Sequence, residues 1–211
     1  MVTAARPQTA SILTVMAHPD DPELWAGGTL ALHAATGAKI AVAVVRNDAQ
    51  RMAEAVEGAA RLGAAFHPLP PDTPVEAVRE LLTSLLPEVV ITHRTDDVHP
   101  EHRRIALTVL EALPEAVIAT GRPYRLYACD TYNSLTLAGP VHAETIVDIT
   151  TTFEVKMRAL AAHAGTQPIA EHFGPMAENL ARLWGARIGT AYGEAFAVLP
   201  ILGRLPAATG L

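Results

Sequence analysis

A single cysteine, Cys129, is all the chain holds, which excludes an intramolecular disulfide framework and any Cys-rich zinc knuckle. It sits in an apolar stretch and reads as a buried thiol. Basic residues are in the minority, 16 Lys and Arg against 22 Asp and Glu, so no cationic surface advertises nucleic acid or anionic lipid. No apolar run approaches the roughly 18–20 residues needed to cross a bilayer. The first ten residues, MVTAARPQTA, lack the apolar core of a secretory signal. The G-x-G-x-x-G fingerprint of a dinucleotide site is absent, although Gly27 and Gly28 stand side by side. Repeats, low-complexity tracts and linkers are missing too. What is left is 211 residues, half of them hydrophobic, enough for one domain over residues 1–211 with a sizeable core. A cytoplasmic protein is the expectation.

One stretch organises the rest. Ile12 to Met16 is apolar and strand-like, the chain then breaks into His18-Pro19-Asp20-Asp21-Pro22-Glu23, and a helical pattern resumes from Leu24. A strand that ends in a polar turn and feeds a helix opens a βαβ unit. Ligands of open α/β sheets bind beyond the carboxyl ends of strands, where this turn belongs. The arrangement recurs at Glu88 to Thr92, a strand that runs into the polar loop His93 to His102 and a helix from Glu101 to Leu113.

Between these units, Lys39 to Val45 reads as a buried strand and Ala65 to Leu69 as a short one. Arg51 to Leu62 is expected to be a helix marked by Ala53, Val56, Ala60 and Leu62, ending at Gly63. Pro74 to Leu86 is a second, stopped by Pro87. Downstream, Arg125 to Tyr132, Glu144 to Ile149 and Gly193 to Ile201 are expected strands. Thr150 or Thr151 is expected to cap a helix to about His163, Thr151 having capping-box spacing to Glu154, and another helix is expected around Met176 to Ile188. Strand–helix alternation of this kind points to an α/β fold with parallel strands.

The chemistry follows from residue type. Zinc in a hydrolytic site takes three ligands from His and carboxylate and leaves a position for water. His18 and Asp21 share one turn, while His99 and His102 lie three apart where a helix begins, so that both could face one way. Parallel strands bring the two loops to one edge of the sheet. A base must take the water's proton, and Asp20 is the natural candidate. A second histidine could offset the oxyanion and protonate a leaving amine. These residues suffice for metal-assisted hydrolysis of an amide. Singly, each cluster has a plainer meaning, because Asp caps helices and turns chains and a His-x-x-His pair is more often a surface feature. Their coincidence at two strand ends favours a site.

His18-Pro19-Asp20-Asp21-Pro22-Glu23 and His99-Pro100-Glu101-His102 resemble the two signature motifs of the zinc-dependent PIG-L, or LmbE-like, N-deacetylases. The first, A-H-P-D-D-x-E, is matched in full. In the second, D-x-H-P-D-H, Glu101 stands where Asp is usual. Further similarity runs through Arg51 to Gly63, Lys156 to His163 and Tyr192 to Phe196. The resemblance implies a Rossmann-like three-layer α/β sandwich with a mostly parallel sheet. It implies zinc ligands at His18, Asp21 and His102, a general base at Asp20, and an intermediate-stabilising histidine at His99. Arg51 and Asp72 fall where the family places substrate contacts. Two departures bear on the substrate. The segment after the second strand is short (Arg46 to Gln50), and His163-Ala164-Gly165-Thr166-Gln167 is one residue longer than the usual H-x-S-Q.

His93, at a strand end, is expected to orient a ligand or Asp97, and Asp97 to partner a histidine. His33, His67, His142 and His172 have no visible partner and read as ordinary polar residues. Trp25 and Trp184 read as core or pocket wall. The expected activity is removal of an acyl group, most simply acetyl, from the nitrogen of an amino sugar or its conjugate. The expected cofactor is Zn2+, although two His and one Asp also accept Fe2+, Co2+ or Ni2+. The partner is a small N-acylated molecule, with no nucleic acid and no membrane insertion, and a homo-oligomer is compatible with the sequence. Ala-rich composition fits a bacterial source. The alternatives are an amidase acting on an acylated cysteine or a natural-product intermediate, and a non-catalytic metal- or sugar-binding protein on the same fold.

Overall fold

Runs of Val, Ile and Ala that are apolar at every position, rather than at alternate ones, build the middle of the molecule. The computed structural model describes residues 9–206; residues 1–8, most of the stretch searched for a secretory signal, lie outside them. The strands are β1 (Ser11–Met16), β2 (Lys39–Val45), β3 (Ala64–Leu69), β4 (Val89–Thr92), β5 (Arg125–Cys129), a two-residue pair β6 (Leu135–Thr136) and β7 (Gly139–Pro140), β8 (Thr145–Asp148) and β9 (Gly193–Leu199). The helices are α1 (Asp21–Ala35), α2 (Ala49–Arg61), α3 (Val75–Leu85), α4 (Pro100–Thr120), α5 (Phe153–Leu160) and α6 (Gly174–Ile188).

Seven strands form one sheet in the order β3-β2-β1-β4-β5-β9-β8. The first five are parallel, and β9 runs antiparallel to both its neighbours. Successive residues point to opposite faces. Ile12, Met16, Val42, Val44 and Ile91 meet Leu24, Leu30 and Leu160 on one face. Leu13, Val15, Ala43 and Val90 meet Val78, Leu82, Ile105 and Val109 on the other. Helices therefore cover both faces, which is why β1, β2 and β4 read as continuous apolar runs. The result is the three-layer, mostly parallel α/β sandwich expected.

Strand order places the site. The chain steps outward from β1 to β3, then returns through α3 to β4 on the other side of β1. Connections leave β1 and β4 in opposite directions, so a crevice opens between them at their carboxyl ends. Both histidine-bearing loops leave the sheet there.

The first eleven residues of α1 are all buried, the acids Asp21 and Glu23 included. The helix lies between the sheet and α5, and Gly28 lets them close, since a Cβ there would stand 2.6 Å from the Ile149 side chain. Lys156 and Glu194 meet at 2.6 Å, both buried. Lys156 Nζ donates to the Leu24 carbonyl, while Glu194 accepts from the Gly28 and Thr29 amides. The pair thus satisfies backbone groups in the middle of α1, which ties α5 and β9 to the helix that carries the first motif.

Several expectations need correction. α4 does not stop at Leu113 but continues through Pro114 to Thr120 and ends on Gly121 in the left-handed region. Its buried stripe, Ile105, Val109, Ala112, Leu113 and Ala116, continues past the proline and outweighs the ladder bond that proline removes. The capping box at Thr151 does not form. α5 starts at Phe153 after Thr152, whose hydroxyl donates instead to the Gly28 carbonyl. The buried face of α2 is Glu54, Ala55, Gly58 and Ala59, not the stripe through Ala53, Val56 and Ala60. Small Gly58 admits the Glu23 and His163 side chains, and close packing there decides the face. β5 ends at Cys129 rather than Tyr132. Among the described residues no helix is long and apolar enough to cross a membrane.

Candidate metal centre

His18 and Asp21 come from the turn after β1, and His93, Asp97, His99 and His102 from the loop after β4 and the first turn of α4. The crevice brings them together. His18 Nδ1 lies 3.1 Å from an Asp21 carboxylate oxygen and 3.2 Å from His102 Nε2, and His102 Nε2 lies 3.4 Å from the other Asp21 oxygen. Bonds of about 2.0–2.1 Å to a tetrahedral ion place its ligand atoms about 3.3 Å apart, so these three donors are spaced to hold one. Two overlapping triples, His18–His99–His102 and Asp21–His93–His102, also gather a ligand atom from each residue within 4.8 Å.

The outer nitrogens decide which inner ones are free. His18 Nε2 meets Glu101 at 2.6 Å, and His102 Nδ1 meets Asp97 at 3.1 Å. Each carboxylate holds a proton on the outer nitrogen, so the inner nitrogen, which faces Asp21, is the one that would give its lone pair to an ion once its own proton is displaced. Asp97 also accepts the His99 amide at 2.8 Å, so it fixes two members of the second motif. His93 is fully buried and stacks on His102 with ring centroids 3.8 Å apart. Its Nε2 accepts the Ala17 amide and stands 3.1 Å from Asp21. Trp25 Nε1 donates to the Asp21 oxygen opposite. His99 Nδ1 accepts the Glu101 amide at 3.3 Å, which leaves its Nε2 as the protonated, donating nitrogen.

Burial works against a charged His102, but Asp21 and Asp97 outweigh it and lift its pKa to about 10. Burial alone would raise the Asp21 pKa; His102 and His93 instead pull it well below the usual carboxylate range. For His99, burial and then the cationic neighbours His102 and His18 lower the pKa. At Asp20, burial and the charge of Asp21 raise the pKa, against the opposing pull of Arg51.

Asp20 stands at the start of α1, yet its side chain makes no capping bond. It is held by Arg51 Nη2 at 3.1 Å, so the plain helix-cap reading of this aspartate does not apply. Arg51 Nε is buried without a partner in the protein. Asp72 is exposed and apart from the donor cluster. It lines a cavity of about 180 Å³ with His18, Arg46, Asn47, Glu101 and Arg104. The structure therefore brings Arg51 to Asp20 and places Asp72 across an adjoining cleft.

Three features had no role assigned from the sequence. Tyr132 stacks over His102 at 5.8 Å and edge-on against Trp25 at 5.2 Å. Burial, then the charges of Asp21 and Asp20, raise its pKa and keep the phenol neutral. Glu101 contacts His18, although the motif comparison gave that position no metal role. Glu23 and His163 are fully buried 3.4 Å apart, on the α2 side of Asp20. Glu23, Glu101 and His163 stood in the motif stretches, whereas for Tyr132 the one hint is that it follows the carboxyl end of β5, next to β4.

Residues 13–113 match the PIG-L family, described as GlcNAc-PI de-N-acetylase. No curated protein sequence matches the chain. Among solved structures, N,N'-diacetylchitobiose deacetylase from Pyrococcus horikoshii is similar at a TM-score of 0.75 and 22% identity, over 92% of this chain and 85% of that one. The 4-carboxy-2-hydroxymuconate hydratase GalB from Pseudomonas putida KT2440 is similar at 0.78 and 22%, over 95% and 98%. The zinc-inhibited form of teicoplanin deacetylase Orf2 is similar at 0.69 and 17%, over 89% and 97%. At these identities the likenesses establish the fold, which hosts both deacetylases and a hydratase. The stretch that matches the PIG-L family model, residues 13–113, spans both histidine-bearing loops.

Proposed function

We propose that the chain is a metal-dependent hydrolase that removes an N-acetyl or related acyl group from an amino sugar or its conjugate. The observation that carries this reading is the donor triple of His18, Asp21 and His102, with the uncapped carboxylate of Asp20 beside it. A divalent metal held there supplies a Lewis acid that polarises the acyl oxygen and acidifies water. Asp20 takes the proton from water, and its position next to Asp21 and Arg51 keeps it oriented. The protonated Nε2 of His99 donates to the oxygen that gains charge. Glu101 and Asp97 hold His18 and His102 in the ligating tautomer. Arg51 and Asp72 contact the substrate from two sides of the cleft.

Family description and fold supply different support. The family match includes the description of a sugar de-N-acetylase, and the chitobiose deacetylase is a neighbour in fold. GalB, on the same fold, is a hydratase, so the fold does not choose the reaction. Both chemistries need an activated water; they differ in whether an amide bond breaks. The test is acetate and free-amine release across a panel of N-acetylated amino sugars, their conjugates and N-acyl cysteines, with an unsaturated hydroxy-tricarboxylate as the hydration arm. The protein is loaded in parallel with one equivalent of Zn2+ or Fe2+, and an excess-zinc arm is added because one neighbour is a zinc-inhibited form. Amine and acetate in equal amounts support the proposal. Loss of the diene absorbance without amine release moves the chain to the hydratase reading.

A further inference from the structure

A second cavity, of about 260 Å³, lies on the α1 face of the sheet, between Thr29 and His33 of α1 and the strands β5, β9 and β8. Thr29 and His33 stand eight and twelve residues along α1 from Asp21. At 1.5 Å of rise per residue that is about 12–18 Å from the metal centre, so this cavity is not part of the cleft beside His18. Its floor is apolar, made by Ile12, Val89, Ile91, Val147 and Phe196.

The one fixed charge at its wall, among the described residues, is the Arg125 guanidinium. Arg125 and His33 line the cavity and no carboxylate does. Arg125 Nη2 donates to the Thr9 hydroxyl at 3.2 Å, and among the described residues no acid pairs with this guanidinium. Glu88, which precedes the lining residue Val89, is turned to the Ala10 amide and to Arg122. The Thr29 hydroxyl is buried and has no partner in the protein, although its amide is satisfied by Glu194. A guanidinium with no carboxylate partner among the described residues and a buried hydroxyl with no partner in the protein stand beside an apolar floor, so the cavity offers an anion and an apolar body a place together.

We propose that this cavity binds a small amphipathic carboxylate, with its apolar body on the floor and its anionic head at Arg125. The volume suits a molecule of short- or medium-chain acid size, since ordinary drug-sized pockets begin at about 300 Å³. A carboxylate on Arg125 forms a charge-assisted hydrogen bond that a neutral amide head cannot replace. His33 adds to the preference, because burial and then the charge of Arg125 lower its pKa, and an anion beside them relieves that repulsion. The proposal does not depend on which reaction the metal centre performs.

The probes are hexanoate and hexanamide, titrated into the metal-loaded full-length chain by calorimetry, with amide shifts mapped by NMR. Hexanoate is expected to bind saturably and to shift Thr29, His33, Tyr127 and Phe196, while hexanamide binds about tenfold more weakly. Arg125→Gln should weaken hexanoate about tenfold and Thr29→Val by about threefold, with bound metal and turnover unchanged. The comparison of the two probes on wild-type protein needs no variant, so a misfolded Arg125→Gln would not leave the test without an answer. Three outcomes overturn the proposal: shifts confined to residues 17–21 and 93–104, where carboxylate would sit on the metal; equal affinity for the amide; or no saturation.

Discussion

Asp21 shows at the scale of one residue how the site is held. Its two oxygens face the His18 amide and ring, His93, His102 and the Trp25 indole. That convergence explains why a carboxylate that is 2% exposed stays ionised. The buried Glu23–His163 pair makes a separate statement about pH. Burial opposes charge on His163, but Glu23, and behind it Asp20 and Glu54, outweigh burial and raise its pKa. A histidine whose folded pKa is raised contributes stability that is full below its unfolded value of about 6.5 and is lost as pH rises through the folded value. His163→Gln should therefore lower the urea midpoint more at pH 6 than at pH 9. An equal loss at both values would mean that His163 contributes by packing alone. The meeting of His18, Asp21 and His102 was legible in the sequence, because their three-residue spacing and strand-end position bring both loops to one crevice. Tyr132 was not, since nothing local tells a stacked tyrosine from one in an ordinary wall.

At the scale of elements, α1 depends on groups far away in sequence. Lys156 from α5 and Glu194 from β9 bond its backbone around Leu24, Gly28 and Thr29. Removing one member of a buried pair leaves the other charge uncompensated, at a cost of about 3–5 kcal/mol. Lys156→Met should lose that much stability in urea unfolding, and adding Glu194→Gln should recover part of it. A Lys156→Met variant as stable as wild type would show that the pair is not what ties α5 to α1. The pairing joins residues 38 positions apart, so helix and strand periodicity could not reveal it. Pro114 and Val56 failed for a related reason. Local rules stop a helix at proline and bury a valine, but the sheet rewards an unbroken α4 stripe, and α2 packs through the smaller Gly58 and Ala59. Where packing agreed with local pattern, as in β1, β2 and β4, the sequence reading and the structure coincide within a residue or so.

At the scale of the molecule, the order β3-β2-β1-β4-β5 turns two loops 72 residues apart, Asp21 to His93, into one crevice. An ion that joins the loops binds the folded chain and not the unfolded one, so it must stabilise the whole. At one hundred times its dissociation constant a ligand contributes about 2.7 kcal/mol. For a chain of this size each kcal/mol moves Tm by about 2–4 °C. Zinc or iron should therefore raise Tm by about 5–10 °C over chelator-treated protein, and His102→Ala should abolish the shift. An unchanged Tm with metal demonstrably bound would place the ion elsewhere. The fold class was legible because strand–helix alternation is a property of the whole chain. The antiparallel β9, inserted between β5 and β8, was not, because strand order depends on tertiary pairing.

The central claim is that the two loops form one hydrolytic metal centre in which Asp20 acts as base and does not hold the ion. The most direct test measures bound metal and acetate release together in wild type and Asp20→Ala, on whichever N-acetylated substrate the panel yields. The account predicts one metal per chain in both proteins and a fall in turnover of about 10²–10⁴-fold in the variant. Release at the wild-type rate by metal-loaded Asp20→Ala, or loss of the metal with Asp20, would contradict it.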